Sequence, residues 1–321
     1  MASGGFTWRD GERTIRFGRG SIDDAAELLG GPYALLTTAR GEAAAPSVVD
    51  RADSVHHVAP GLVDELSAAL LDEVPDGELL VALGGGRVID TAKAVAGGRG
   101  GRPRVAAIPT TLSAAEMTRI HRLPKDLEGA VWVRPAIVLN DPALCASQPE
   151  DHLAASAANS LGHAVEAPLT AQASPVPSLA AREAVRLTEA AYAGGEPDRD
   201  ALALAALLSG YAIDANHYGL HHVLSQTLVR VGGAGHGPAN AAMLPHTIGA
   251  LGERGDVPQT AADLARDLAR RAGAERLRDL GVDRDAVDRC ADAAAQREAD
   301  LARTPPAATR DEIRALYEAA W

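Results

Sequence analysis

The residues best suited to chemistry in this chain are histidines and amides set at helical spacing. Between Gly219 and Pro245, His222 and Gln226 stand four apart, one helical turn, and His236 follows ten residues after Gln226, where the glycines of VGGAGHG give way to a new apolar run. In the earlier segment AANSLGHAVEA, Asn159 and His163 are also four apart and share one helix face. Asn159, His163, His222 and His236 therefore make a four-cornered polar site, with Gln226 beside it. Such groups can donate hydrogen bonds to a developing oxyanion, move a proton, or ligate zinc or iron. The plainer alternative is that each imidazole is buried and satisfied by a backbone carbonyl. Against it, seven of the ten histidines fall between His152 and His246.

A second informative stretch, GGGRVIDTAKAVAGG, runs from Gly84 to Gly98 directly after the apolar run Leu79 to Leu83. The order is strand, glycines, helix. Missing Cβ atoms let backbone N–H groups and a helix N-terminus approach a pyrophosphate, and Arg87 can add a bidentate contact. A glycine turn of this kind, taken alone, also fits a purely structural role.

Together these stretches resemble the iron-containing, or group III, alcohol dehydrogenases, and within them the maleylacetate reductases. That family sets a carboxylate and a His four apart on one helix, two His four apart on another, and a last His in an HG step ten residues on. Asn159 stands where metal-binding members have Asp, a change maleylacetate reductases share, and Gln226 stands where nearly all members have the second His. GGGxxxDxAK is the family's cofactor motif. Carried over residue by residue, it assigns Gly84, Gly85 and Gly86 to the pyrophosphate of NADH or NADPH, Asp90 to the nicotinamide side and Lys93 to the next helix turn. A lysine snorkelling to the surface is the alternative for Lys93. The segment PTTLSAAEMT resembles the family's PTT-x-x-x-S-E-x-T, in which Thr110 and Thr111 offer hydroxyls to phosphate or ribose; alanines replace the usual Gly-Ser pair beside Ser113. Thr38 ends the run Tyr33 to Thr37, where NAD-specific relatives place an acid on the adenine ribose. With no acid there, a 2′-phosphate is not repelled.

The resemblance implies hydride transfer from NADH or NADPH to an enone or ketone of a small carboxylated substrate, with His163, His222 and His236 stabilising an enolate and Asn159 and Gln226 supporting them. Three imidazoles and an amide oxygen could take zinc or iron. Without the carboxylate the ligand set is neutral and holds such cations less well, so no tightly bound metal is expected. Two other readings stay open. One is a lyase or cyclase on the similar dehydroquinate synthase scaffold, motivated by Gln226 and the altered PTTLSAAE loop. The other is a non-catalytic binding subunit, which the intact glycines and histidines oppose.

The elements that must position these groups fall into two domains, as 321 residues with 46% apolar content allow. Residues 1–148 are expected to form an α/β dinucleotide-binding domain and residues 149–321 an all-α domain, the dehydroquinate synthase-like or group III alcohol dehydrogenase fold. The first domain opens with a hairpin over Phe6 to Phe17 around Asp10-Gly11, then a helix capped by Ser21 running to Leu29. A helix from Gly61 to Leu71 and strands Tyr33 to Thr37, Leu79 to Leu83, Val105 to Ile108 and Ala136 to Asn140 complete it. From Pro149 onward helical periods are broken near Pro175-Val176-Pro177, Gly194-Gly195, Gly232-Gly233 and Pro305-Pro306. The last helix is capped by Thr309 with Glu312 in the capping-box position.

A net charge of -12 and a pI near 5.3 oppose nucleic acid or an anionic membrane as partner. Arg119, His121, Arg122 and Lys125 gather positive charge that could meet substrate carboxylates; a solvated loop neutralised by Asp126 and Glu128 is the preferred reading. Cys145 and Cys290 stand far apart and suggest neither a disulfide framework nor a thiolate metal site. The N-terminus has no apolar leader and no run is long enough to span a membrane. The expected protein is cytoplasmic, a homodimer, with a small-molecule substrate as its partner.

Overall fold

The computed structural model describes residues 4–321; residues 1–3, the start of the segment read as lacking an apolar leader, lie outside the described residues. The chain divides into two compact units, residues 1–148 and 149–321.

The first unit is built on seven strands: β1 (Phe6–Asp10), β2 (Arg13–Phe17), β3 (Ala34–Thr37), β4 (Ser54–His57), β5 (Leu79–Gly84), β6 (Arg104–Pro109) and β7 (Ile137–Asn140). They lie in the order β1-β2-β7-β6-β5-β3-β4. β1 and β2 pair antiparallel through the turn at Gly11, whose φ of 60° suits glycine, and every other pairing is parallel. β5 is buried along its whole length, as a strand covered on both faces must be. Its neighbours in sequence serve opposite faces. Leu36, Leu80 and Ala82 pack with Val88, Ile89 and Val95 on one side, while Leu35, Val81 and Leu83 pack with Ile108 and Leu139 on the other.

Around the sheet lie α1 (Ala25–Leu29), α2 (Ala39–Ala44), α3 (Pro46–Val49), α4 (Val63–Leu70) and α5 (Gly86–Gly98). Several expectations need correction. Ser21 does not cap a helix: Gly20 precedes a 3-10 turn over Ser21–Asp24, and α1 starts only at Ala25. The Ile22 amide is taken instead by Asp141 Oδ2 at 3.3 Å, a partner distant in sequence. α4 begins two residues later than Gly61, which has a φ of 155° and stays outside the helix. β4, α2 and α3 were not anticipated, because each is too short to show a period and β4 is a half-exposed edge strand.

Lys93 is not a snorkelling surface lysine. It is fully buried, and Nζ donates to Ala115 O at 3.0 Å, Ile120 O at 3.2 Å and Thr118 Oγ1 at 3.3 Å, with Asp90 Oδ1 at 2.7 Å. One ammonium thus ties the loop after β6 to the middle of α5. His121 is likewise structural rather than solvated: its Nδ1–H donates to Arg122 O at 2.8 Å and its Nε2 accepts from Val133 N at 3.0 Å. Lys125 pairs with Glu65 at 3.5 Å, so the basic run does not gather into one site.

The second unit is helical: α6 (Glu150–Glu166), α7 (Pro175–Tyr192), α8 (Arg199–Asn216), α9 (Leu220–Thr227), α10 (His236–Gly252), α11 (Gln259–Arg271), α12 (Ala286–Ala295), α13 (Glu298–Leu301) and α14 (Arg310–Ala320). α6 is its central post, packed by α7, α8, α10 and α11. Its alanines and Gly162 let those helices approach from several sides. α14 is capped as its sequence predicts, Thr309 Oγ1 accepting from Glu312 N at 3.2 Å. It is pinned to α9 by Tyr317, whose hydroxyl donates to Leu224 O at 2.8 Å. A π-turn over Leu228–Gly232 and Gly233, at φ 76°, lead from α9 to α10.

Replacing Lys93 by Met should cost about 3–5 kcal/mol, because Asp90 and two buried carbonyls lose their donor together. Urea unfolding of the variant checks this; a loss below about 1 kcal/mol would mean the loop does not depend on the ammonium.

Candidate active site

In the helical unit, α6 presents Asn159, His163 and Glu166 at successive turns of one face, and all three are buried. α9 presents His221, His222 and Gln226. The two helices meet through Glu166, which has no exposed surface. Its Oε2 accepts from His222 Nδ1 at 2.7 Å and its Oε1 accepts from the His221 amide at 2.6 Å. The carboxylate therefore sits on the N-terminus of α9, where unpaired N–H groups and the helix dipole favour negative charge.

This contact decides the form of His222. With Nδ1–H given to Glu166, Nε2 carries a bare lone pair, and it has no partner within the protein. His221 is fixed in the same way. Thr247 spends its hydroxyl proton on backbone carbonyls of α10, so its oxygen accepts from His221 Nδ1 at 2.9 Å and leaves His221 Nε2 bare. Gly162 makes room for that ring: a Cβ there would lie 2.7 Å from His221 Nε2. His163 stacks on His222 with centroids 4.6 Å apart and planes at 20°, and His221 meets His222 edge-on at 4.8 Å.

Burial drives the His221 and His222 pKa values down to about 3. His163 is held well below the usual imidazole range by burial first and the neighbouring imidazoles second. Burial pushes Glu166 upward, against the pull of His221 and the backbone N–H groups of α9. The buried face is thus a set of neutral imidazoles on one carboxylate.

Two expected members stand apart from it. His236 is the first residue of α10 and is exposed, with Nε2 3.5 Å from Asn240 Nδ2, although its field reaches both His163 and His222. Gln226 turns to Arg297, whose Nη2 donates to Gln226 Oε1 at 3.0 Å. Among the described residues, no three His, Cys, Asp or Glu side chains are placed to hold a metal ion together. His222 alone, backed by Glu166, has the orientation of a metal-binding imidazole. His163 Nδ1 and His222 Nε2 are both buried without a hydrogen-bond partner in the protein, so each keeps a nitrogen open to a substrate atom or a cation.

In the α/β unit, β5 ends at Gly84, Gly85 precedes α5 and Gly86 is its first residue. The amides of the first turn have no helical acceptor and are available to an anion. A Cβ at Gly85 would lie 3.1 Å from Thr111 Oγ1, and one at Gly86 would lie 2.9 Å from Ser113 Cβ. The missing Cβ atoms therefore let the loop after β6 pack directly on the turn. Thr110 N donates to Gly84 O at 3.0 Å and ties that loop to β5. Ala114 holds φ 62°, the left-handed geometry glycine takes more easily, at the place where alanine replaces the family's glycine.

Thr38 caps α2, its hydroxyl accepting from Gly41 N at 3.2 Å. One turn on, Glu42 pairs with His57 Nε2 at 2.9 Å, so an acid stands nearer the end of β3 than the run Tyr33 to Thr38 suggests. Lys93 spends its donors on the loop, while Asp90 remains partly exposed. Glu116 is fully buried; it accepts from Asn140 Nδ2 at 3.3 Å, and burial raises its pKa to about 7. A recess lined by Leu71, Val74, Asp76 and Arg99 lies at the far end of α5 and gathers none of these residues.

Sequence reasoning missed Glu166, His221, Glu116 and Arg297. Glu166 had a readable signal, since it stands three residues after His163 and seven after Asn159, on the same helix face.

The family model for the C-terminal part of the Fe-containing alcohol dehydrogenase family matches residues 153–274. Maleylacetate reductase 2 of Cupriavidus pinatubonensis is 35% identical over 203 residues, 60% of this chain and 55% of that one, so the match spans about half the relative's length. The maleylacetate reductase of Sphingobium indicum is 31% identical over 257 residues, 73% of this chain and 72% of its own. A crystal structure of maleylacetate reductase from Agrobacterium tumefaciens aligns with a TM-score of 0.79 at 26% identity, covering 98% of this chain and 97% of that one.

The buried imidazoles set a pH dependence of stability. His121, at about 4, and His221 and His222, at about 3, all lie below the ordinary histidine value, so the unfolded chain binds more protons in acid. Their contribution is complete above about pH 6.5 and is lost as pH falls toward 4 and below. One pH unit below 6.5 should cost about 1.4 kcal/mol per imidazole. Glu116 acts with the opposite sign, its contribution being present below about 4.5 and lost as pH rises through about 7. Urea unfolding at pH 7.5 and 5.5 measures the balance; equal stability at the two would contradict the neutral histidine face.

Proposed function

The chain belongs to the iron-containing alcohol dehydrogenase family; from that premise we propose that it is an NAD(P)H-dependent reductase of a small carboxylated enone or ketone, in the manner of a maleylacetate reductase. It is an oxidoreductase like its relatives, which are named as reductases and dehydrogenases. Those relatives do not favour the lyase or binding-subunit alternatives. The observation that carries the reading is the glycine turn from β5 into α5, whose first-turn amides have no helical acceptor and can take a diphosphate.

When bound, the reduced nicotinamide supplies the hydride. The chain's own work is then to hold the cofactor and to manage the charge and proton of the enolate that hydride addition leaves. Gly84, Gly85 and Gly86 take the diphosphate, with the Thr111 and Ser113 wall beside them. Asp90 is the partly exposed carboxylate on α5, and Lys93 keeps the wall in place from below. Thr38 puts no charge against a 2′-phosphate, and Glu42 is partly offset by His57, so NADPH is accepted along with NADH.

His222 cannot donate from Nε2 while Nδ1–H is held by Glu166, so there it accepts a hydrogen bond from the substrate and moves no proton. Donation to the enolate oxygen falls to the Asn159 amide and to His236, whose exposed ring exchanges protons with solvent. His163 and His221 pack against His222 and hold its ring in place. The scheme routes no step through a tightly held cation, because Asn159 in place of a carboxylate takes an anionic ligand from the site.

The test is steady-state reduction of maleylacetate with each cofactor, with binding followed by nucleotide fluorescence. Wild-type protein should consume both NADH and NADPH, Gly85→Asp should lose nucleotide binding while keeping its far-ultraviolet spectrum, and His236→Ala should lower kcat roughly 100- to 1,000-fold. A wild-type protein that oxidises neither cofactor, or a Gly85→Asp variant that binds as well as wild type, would sink the reading.

A further inference from the structure

We propose that Arg303, Arg297 and Tyr218 form a carboxylate-binding subsite beside His222, which takes the anionic end of the substrate. The identity of the ligand rests on the reductase reading above; the existence of the subsite does not.

The charge count comes first. Two guanidinium groups lie against the Tyr218 ring, with Arg297 Cζ 5.9 Å and Arg303 Cζ 5.5 Å from its centroid. Asp300 serves both arginines. It accepts from Arg297 Nη2 at 2.8 Å and Nε at 3.1 Å, and forms an ion pair with Arg303 Nη1 at 3.0 Å. Among the described residues Asp300 is the one carboxylate paired with either arginine, so two cations share one anion. One positive charge is left without a partner.

The donors point to Arg303 as the group that binds. Arg297 is committed, since its Nη2 also reaches Tyr218 Oη at 3.2 Å and Gln226 Oε1 at 3.0 Å. Arg303 has one carboxylate contact and the ring, which leaves the rest of its planar fork for a second carboxylate. Tyr218 Oη accepts from Arg297, so its own proton is available to the same ligand. The arginine side chains are 25% and 27% exposed, open enough for entry and buried enough for charge to matter more than on a free surface.

The subsite is also held rigidly next to the imidazoles. Tyr218 and His222 have ring centroids 6.2 Å apart, and Arg297 helps to hold His222 neutral. The backbone before Tyr218 is strained: His217 sits at φ 63° and ψ 173°, a region natural to glycine. The segment bearing Arg303 is seated on the start of α9, where Leu220 N donates to Thr304 Oγ1 at 3.2 Å and Gly219 alone leaves room for that hydroxyl. Gln226 gives Arg297 a neutral acceptor, whereas a protonated imidazole at that place would repel it.

The experiment compares wild type, Arg303→Gln and Arg303→Lys in two assays. In turnover with saturating NADH, Arg303→Gln should raise KM for maleylacetate roughly 10- to 100-fold with kcat changed less than about 3-fold, the increase being at least 10-fold smaller for the uncharged enone 2-cyclohexen-1-one. Arg303→Lys should recover part of the loss, because charge returns without the fork. In calorimetry with fumarate as the probe, the affinity should fall by a similar factor in Arg303→Gln. Arg303-dependent fumarate binding by a wild-type protein that reduces no carboxylated enone would keep the subsite and reject the reductase reading. Normal turnover with KM and fumarate affinity the same in all three proteins, or losses equal for charged and uncharged substrates, would overturn the subsite.

Discussion

The 2.7 Å contact between Glu166 and His222 is the interaction on which the helical unit depends. A carboxylate with no exposed surface is costly unless its oxygens are met by donors. Here the donors are an imidazole and the first amides of a helix, so satisfying the charge also fixes α9 against α6. The ring that completes the set can present only its bare nitrogen elsewhere. Gly162 then admits His221, Thr247 orients it, and His163 closes the stack. Removing the carboxylate would leave these groups without the anchor that sets their protonation, which is why breaking a buried pair costs more than forming it gains.

The α/β unit uses a buried charge in the same manner. Lys93 lies in the middle of a helix whose residues after it are alanine, valine and glycine, and its ammonium gathers three acceptors from one loop. That loop forms the wall facing the glycine turn. In both units the groups with the strongest intrinsic reactivity act as posts, and the groups left open are weaker ones: backbone amides, a bare imidazole nitrogen, an arginine fork.

Much of the architecture was legible because it rests on local rules. The hairpin needed only alternation and a glycine at positive φ, β5 only an unbroken apolar run, and α14 only a threonine three residues before a glutamate. The glycine turn and the spacing of Asn159, His163 and His222 were legible for the same reason. Part of what failed depended on partners far along the chain. Glu166 finds His222 across 56 residues, and Arg297 finds Gln226 across 71. Ser21 lost its expected capping role because Gly20 takes the cap position, its carbonyl accepting from Asp23 N at 3.1 Å, and Ser21 becomes the first residue of the turn. For Lys93 a surface alternative stayed open because no pattern within α5 distinguishes a lysine that reaches water from one that reaches a loop. β4 carries no signal at four residues.

The account turns on the protonation state of one ring, and nitrogen-15 spectroscopy of the histidines reads it directly. With His222 assigned by its loss in His222→Asn, Nδ1 should show the shift of a protonated nitrogen and Nε2 that of a bare one, without change between pH 6 and 8. An imidazolium signal at His222 in that range, or the tautomer with the proton on Nε2, would contradict the view that Glu166 sets a neutral, lone-pair-bearing face.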